Sequence, residues 1–217
     1  MASSPYQLVL GDDFGALDPS LQRYFGAIPA GNVGVGHGVY EQAGSRRWVL
    51  RPLLAWLAWR RILFPEFGRD VPFTVVNTPG GRGKLSATRT FDFPARRRLM
   101  QDSMSVTDGI LLDRLGRRGG LEVELRLEVV DGGLRMHSGR FRLRLGALRV
   151  PLRRVARLAL DARTEGADAA RPRVVVRITA PLLGEVFRYA GSFTYVYMPI
   201  GSGQLPHVSG VGGTIDA

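Results

Sequence analysis

Few side chains in this chain are suited to chemistry near neutral pH. The 217 residues include three histidines (His37, His137 and His207), no cysteine and one lysine, Lys84. Without cysteine there is no disulfide, thiolate nucleophile, iron–sulfur cluster or cysteine-based zinc site. The histidines are far apart in the sequence. They form neither His-x-x-x-His nor His-Glu-x-x-His, so no metal is expected. No Gly-x-Ser-x-Gly elbow is present. Gly83-Lys84 is not a phosphate loop, because Thr78 stands where the leading glycine belongs and Leu85 replaces the hydroxyl residue. Gly34, Gly36 and Gly38 do not fit the dinucleotide fingerprint either: the third glycine is misplaced and no helix pattern follows. No cofactor is expected.

What remains is polar side chains on apolar strand faces. Arg89 alternates in step with Leu85, Ala87, Phe91 and Phe93. His37 does so with Val33, Val35 and Val39, while Gly34, Gly36 and Gly38 form the other face, where another element can approach closely. A third case comes from a hairpin. Leu121, Val123, Leu125, Leu127 and Val129 alternate with Glu122, Glu124, Arg126 and Glu128, and Asp131-Gly132-Gly133 supplies the turn. Closing it symmetrically about Gly132 sets Glu124 opposite Arg140, Glu122 opposite Arg142, Val123 opposite Phe141 and Leu121 opposite Leu143. The glutamates then read as a solvated ladder of charge pairs. The same register places Arg135 and His137 on the apolar face.

Burying such a group without a partner costs about 2 kcal/mol or more. Several of them pointing into one interior suggest a cavity that holds water or a ligand. The expected ligand-binding set is Arg89, His137, His37 and Tyr189, with Trp56 and Trp59 as further lining. Arg89 would pair with a carboxylate, enol or phosphate. If the protein is an enzyme, His137 is the expected acid or base and Arg89 the group that stabilises developing negative charge.

The elements that would position these residues are mostly strands. Val33 to Gln42 is one. From Val71 onward the segments Val71–Thr78, Gly83–Phe93, Arg97–Val106, Gly109–Arg114, Leu121–Val130, Leu134–Leu145, Val155–Glu165, Arg173–Pro181 and Gly184–Tyr197 follow, separated by Gly- and Pro-rich turns. No helical periodicity intervenes, so the sheet is expected to be antiparallel. Asp18 to Gly26 predicts a short helix with Asp18 as cap, Pro19 in the first turn and Gly26 beyond the end. Pro52 to Phe64 predicts a second helix, apolar nearly all round and expected to be buried on both sides, the other reading being a mobile or membrane-surface helix with Trp56, Trp59, Arg60 and Arg61 at the interface. Its length is too short to span a bilayer.

The fold expected is α+β and mostly β. A strongly curved antiparallel sheet of about nine or ten strands forms a cup or partial barrel. The two N-terminal helices close or line it. Residues 1–198 form one β-rich domain and 199–217 a Gly/Ser-rich tail.

Several segments resemble the bacterial domain-of-unknown-function family numbered 4166. They are Leu21-Gln22-Arg23-Tyr24-Phe25-Gly26, Ala87-Thr88-Arg89-Thr90-Phe91, Leu112-Asp113-Arg114-Leu115-Gly116, Asp131-Gly132-Gly133-Leu134, Pro181-Leu182-Leu183-Gly184 and Arg188-Tyr189-Ala190-Gly191. The resemblance covers residues 8 to about 197. It implies a stand-alone protein or a domain attached to dehydrogenase-like oxidoreductases, and hence a possible oxidoreductase partner. It transfers no catalytic residue.

The net charge is +11, and 29 of the 30 basic residues are arginine, mostly scattered. A near absence of lysine fits codon bias better than a selected phosphate surface, so no nucleic-acid partner is expected. The N-terminal residues show no secretory signal, which makes the cytoplasm the expected location. A buried Pro52–Phe64 helix also argues against stable membrane association, since an interfacial helix keeps one face polar. The leading expectation is a barrel that binds an apolar or amphipathic small molecule, as an accessory to an oxidoreductase or biosynthetic pathway. The alternative is a cofactor-independent cyclase, isomerase or dehydratase of secondary metabolism that uses the same cavity, and the second alternative is a peripheral membrane-associated protein. The oligomeric state is left open.

Overall fold

Alternation of side chains at a period of two runs through most of the chain. A computed structural model describes residues 3–146, 148–152, 155–166 and 171–201. It turns that alternation into eleven strands: β1 (Asn32–Gly44), β2 (Phe67–Gly80), β3 (Lys84–Phe93), β4 (Arg96–Thr107), β5 (Ile110–Leu115), β6 (Leu121–Val130), β7 (Gly133–Leu145), β8 (Leu148–Leu152), β9 (Arg157–Glu165), β10 (Arg171–Ala180) and β11 (Gly184–Pro199). All pairings are antiparallel. The order is β6-β5-β4-β3-β2-β1-β11-β10-β9-β7-β8, and a further pairing of β6 with β7 closes ten strands into a barrel. β8 hangs from the end of β7. Closure removes the sheet edges that an open cup would have exposed. Two tight turns, Asp108-Gly109 and Asp131-Gly132, have both central residues at positive φ, the conformation that matches strand twist.

The hairpin register holds over its first three pairs, Leu121 with Leu143, Glu122 with Arg142 and Val123 with Phe141. A bulge between Val123 and Leu125 then shifts the partner strand, so that Leu125 faces Ser138 and not Gly139. One residue of slip reverses every side chain beyond it. Leu134 and Met136 are buried, and His137 is exposed on the outer face. The inward orientation expected of His137 is thereby corrected. The charge ladder forms, with Glu122 bonded to Arg114 and Arg142 and Glu124 to Arg142. Glu122 is fully buried beneath its arginines, where a solvated position was expected.

In β1 the glycine face is the interior one. A Cβ on Gly36 would sit 2.7 Å from Val75 and 3.0 Å from Phe193, both core residues. One on Gly38 would overlap the Ser192 carbonyl. The bare backbone leaves room for the aromatic rings of β11, and Tyr195 lies over Gly34. His37 is accordingly on the outer face, with its ring 3.1 Å from the Thr194 hydroxyl. The valine stripe that carried the inward reading of His37 lies on the face opposite the glycines, where Val35 is buried and Val39 is exposed.

Helices close one end of the barrel. α1 (Pro5–Leu10) begins with a capping box in which Ser4 and Gln7 bond reciprocally. α2 (Pro19–Phe25) ends at Gly26. The Ser4 hydroxyl donates to the Phe25 carbonyl at 2.6 Å, and the Asp18 amide donates to the Gly132 carbonyl at 2.8 Å. Asp18 makes no side-chain cap bond. Tyr6, Leu21 and Phe25 enter the core.

The other helix departs from expectation. α3 spans only Arg51–Trp59 and packs at the opposite end of the barrel. Arg61 adopts φ 60°, the Arg61 amide donates to Ala58, and the Ile62 amide donates to Leu57. These bonds make the left-handed stop usually signalled by glycine. The chain then turns inward, and Ile62 and Phe64 are buried while Trp56 and Trp59 remain exposed. The closing role expected of the whole helix therefore falls to the residues just after it. The Gly/Ser-rich tail from residue 202 onward lies outside the described residues.

Candidate functional site

Inward residues of β3, β4 and β5 follow one another diagonally across the barrel wall. Asp102 on β4 is opposite Ala87, which places it diagonally beside Arg89 on β3. Asp113 on β5 is opposite Met104 and so diagonal to Asp102. The Arg89 guanidinium donates to the Asp102 carboxylate. Above them stand Tyr6 from α1, Tyr24 from α2, Tyr40 from β1 and Tyr189 from β11. These seven side chains, with an aliphatic and Met-rich remainder, line an interior cavity of about 80 Å³. Ile62 and Leu63 line it from the opposite end.

The cavity is roughly half the size of an engineered hole that holds benzene, yet large enough for several waters. Arg89 keeps 15% of its side-chain surface accessible, on the cavity side, against 4% for Asp102. The Tyr6 hydroxyl donates to the Met104 sulfur at 3.0 Å. Tyr24 lies edge-on to Phe193 and Tyr195 at 4.9 Å and faces the Arg89 guanidinium. Tyr40 stacks on Phe73 and contacts Tyr189 at 5.0 Å. Among the described residues neither the Tyr40 nor the Tyr189 hydroxyl has a hydrogen-bond partner, and Asp113 Oδ1 is buried without one.

Charge is tightly rationed here. Burial opposes the positive charge of Arg89, and Asp102 together with the surrounding Tyr189, Tyr24 and Tyr40 outweighs it. Burial also pushes both carboxyls up, and the guanidinium pulls Asp102 back down. Asp113 is raised well above the ordinary carboxylate range, by burial first and by the charge of Asp102 second. It has no direct cation, so of the two carboxyls Asp113 is the one that burial biases more strongly toward its protonated form. Burial holds Tyr189 up at about 12, which keeps its hydroxyl protonated.

Of the residues expected at the site, the structure places Arg89 and Tyr189 in the cavity wall. His37 and His137 are outside the barrel, and Trp56 and Trp59 are on the surface of its far end. Asp102, Asp113, Tyr6, Tyr24 and Tyr40 were missed. The alternation that singled out Arg89 also holds for Met100, Asp102 and Met104 and for Leu111, Asp113 and Leu115. Among the described residues no three His, Cys, Asp or Glu side chains come together in a metal-holding group.

A family model described as a domain of unknown function, DUF4166, matches residues 17–193. The chain belongs to that family. The matched span carries every cavity residue named above except Tyr6. Tyr24, Arg89, Asp113 and Tyr189 fall within the short segments on which the resemblance was read. The uncharacterized protein YndH of Bacillus subtilis (strain 168) is 26% identical over 190 residues, covering 82% of this chain and 90% of the relative. No solved structure matches.

The state of Asp113 predicts a pH dependence. In the unfolded chain it titrates near 3.8, and in the barrel well above that. Between those values the folded state holds a proton that the unfolded state lacks, so this residue's contribution to stability falls as pH rises through the window. Asn keeps the neutral shape without the titration. Asp113→Asn should therefore melt above the native protein at pH 7, with the gap narrowing as pH is lowered toward 4. Thermal denaturation of both proteins across that range measures it, and a gap independent of pH would contradict the assignment.

Proposed function

We propose that the barrel binds a small amphipathic molecule whose oxygen-bearing head group sits against Arg89, Asp113, Tyr40 and Tyr189. The observation that carries this reading is the excess of donors in the cavity wall. A guanidinium has five N–H groups, of which Asp102 and Tyr24 occupy some. The protonated Asp113 and the two free tyrosine hydroxyls add more. A carboxylate or carbonyl oxygen would satisfy them, and the surrounding Met, Leu and Val side chains suit a short apolar body. The cavity admits only a few non-hydrogen atoms as it stands. A larger ligand would displace Ile62 and Leu63, which belong to the long connection between β1 and β2 and not to the barrel wall.

Propionate tests this reading. It should raise the thermal midpoint, as should its neutral amide, while propylammonium, which brings donors to donors, should not. Tyr189→Phe should weaken propionate binding about tenfold by calorimetry. Equal stabilisation by propylammonium, or none by any of the three, would sink it.

A cofactor-independent enzyme is the second reading, favoured by one observation: two buried carboxyls lie diagonally adjacent on β4 and β5, and only Asp102 has a cation against it. Such a pair supplies an acid, Asp113, beside an ionised partner held by Arg89. His137 has no access to this chamber. For any substrate turned over, Asp113→Asn should abolish the reaction and His137→Ala should leave it unchanged. Loss of activity in the histidine variant would contradict this assignment.

A further inference from the structure

The exposed large apolar side chains are concentrated at one end of the barrel. Trp48, Val49, Leu53, Trp56 and Trp59 all come from the connection between β1 and β2, with Trp48 77% and Trp59 67% exposed. Leu182 comes from the β10–β11 turn and Leu148 opens β8 beside the β7–β8 turn, and antiparallel pairing puts both turns at the same end as the β1–β2 connection. The opposite rim, closed by α1 and α2, exposes far fewer.

Charge follows the same asymmetry. Residues 45–65 contain five arginines, Arg46, Arg47, Arg51, Arg60 and Arg61, and no Asp or Glu. Among the described residues none of the five is in an ion pair, whereas the next acid, Glu66, is held by Arg98 at 2.6 Å. Arg60 lies over the rings of Trp56 and Trp59 at 5.7 and 5.8 Å. This gives a water-exposed surface of aromatic rings and aliphatic side chains bordered by uncompensated arginine.

We propose that this rim docks the barrel end-on against an anionic lipid surface. Tryptophan favours the headgroup boundary, where the apolar part of the indole leaves water while its N–H stays hydrated. Arginines beside it meet lipid phosphates and release counterions from them. The expectation of no stable membrane association assumed a helix buried on both faces, whereas Leu54 packs inward and the face carrying Leu53, Trp56 and Trp59 is exposed. A soluble partner protein would need acidic groups to match five arginines that have no ion pair among the described residues. An anionic bilayer presents them at any orientation of the rim. The inference concerns the outer rim and stands whether or not the interior takes a ligand.

The chain's only three tryptophans, Trp48, Trp56 and Trp59, lie in this segment, so intrinsic fluorescence reports on it alone. The full-length protein is mixed with vesicles of phosphatidylcholine and phosphatidylglycerol in equal parts at about 0.15 M salt, where screening reaches about 8 Å. It should co-sediment, and its emission should shift to the blue. Vesicles of phosphatidylcholine alone should bind it far less. Replacing Arg46, Arg47 and Arg51 together by Gln should lower partitioning on the order of a hundredfold, about fivefold for each charge. Trp56→Ala with Trp59→Ala should lower it on the order of tenfold. These side chains are exposed, so circular dichroism and thermal midpoints should be unchanged. Three results would overturn the proposal: protein left in the supernatant with unshifted emission, binding indifferent to both sets of substitutions, or lipid-free self-association by ultracentrifugation that the tryptophan variants abolish.

Discussion

A guanidinium inside a closed apolar barrel constrains everything around it. Arg89 cannot shed its charge, so the interior must provide an anion. Asp102 is that anion, and an ionised Asp113, which has no cation directly against it, would be left without compensation. Removing one member of such a buried pair typically costs about 3–5 kcal/mol, because the other is stranded. Asp113 meets the constraint because burial favours its protonated form, in which it is a donor. The hydroxyls of Tyr40 and Tyr189 are held protonated by the same lack of solvent. Charge balance thus leads directly to a chamber lined with donors.

The barrel makes that balance possible by excluding water from both ends. At one end α1 and α2 are tied down by the capping box, by the Ser4–Phe25 bond and by the bond between the Tyr197 hydroxyl and the Arg23 carbonyl at 2.7 Å. At the other, the chain leaves α3 through the left-handed Arg61. Backbone bonds from Gln101 to Arg61 and from Arg117 to Arg60 join it to the wall. The glycine face of β1 admits the rings of Phe193 and Tyr195, which pack beneath Tyr24 and fix its position over Arg89. Each closing device therefore also orients a residue of the chamber.

Much of this architecture was legible in the residues. Period-two alternation and turn glycines predicted the antiparallel strands and the curvature, and Arg89 and Tyr189 were recognised as inward. The failures have physical causes. His137 was misplaced because the Val123/Leu125 bulge leaves no residue signature in an alternating sequence, and one residue of slip inverts a face. His37 was misplaced because valines imply burial more strongly than glycines do, yet here the glycines face the core. The Pro52–Phe64 helix was read as buried because apolarity stood in for burial, and its early end was hidden by an arginine where a glycine is usual. Asp102 and Asp113 were accessible to the same alternation argument as Arg89. They escaped notice because a carboxylate on a strand suggests a surface until its charge partner is known.

The central claim is that the interior holds one ionised carboxylate and one protonated one. Carbon-13 NMR of aspartate-labelled protein reads this directly through the side-chain carboxyl shifts of Asp102 and Asp113 between pH 4 and 8, assigned with the corresponding Asn variants. The account predicts that Asp113 keeps its proton at pH 7 while Asp102 does not. Two ionised carboxylates at pH 7 would contradict it, and the donor-rich chamber would disappear with the proton.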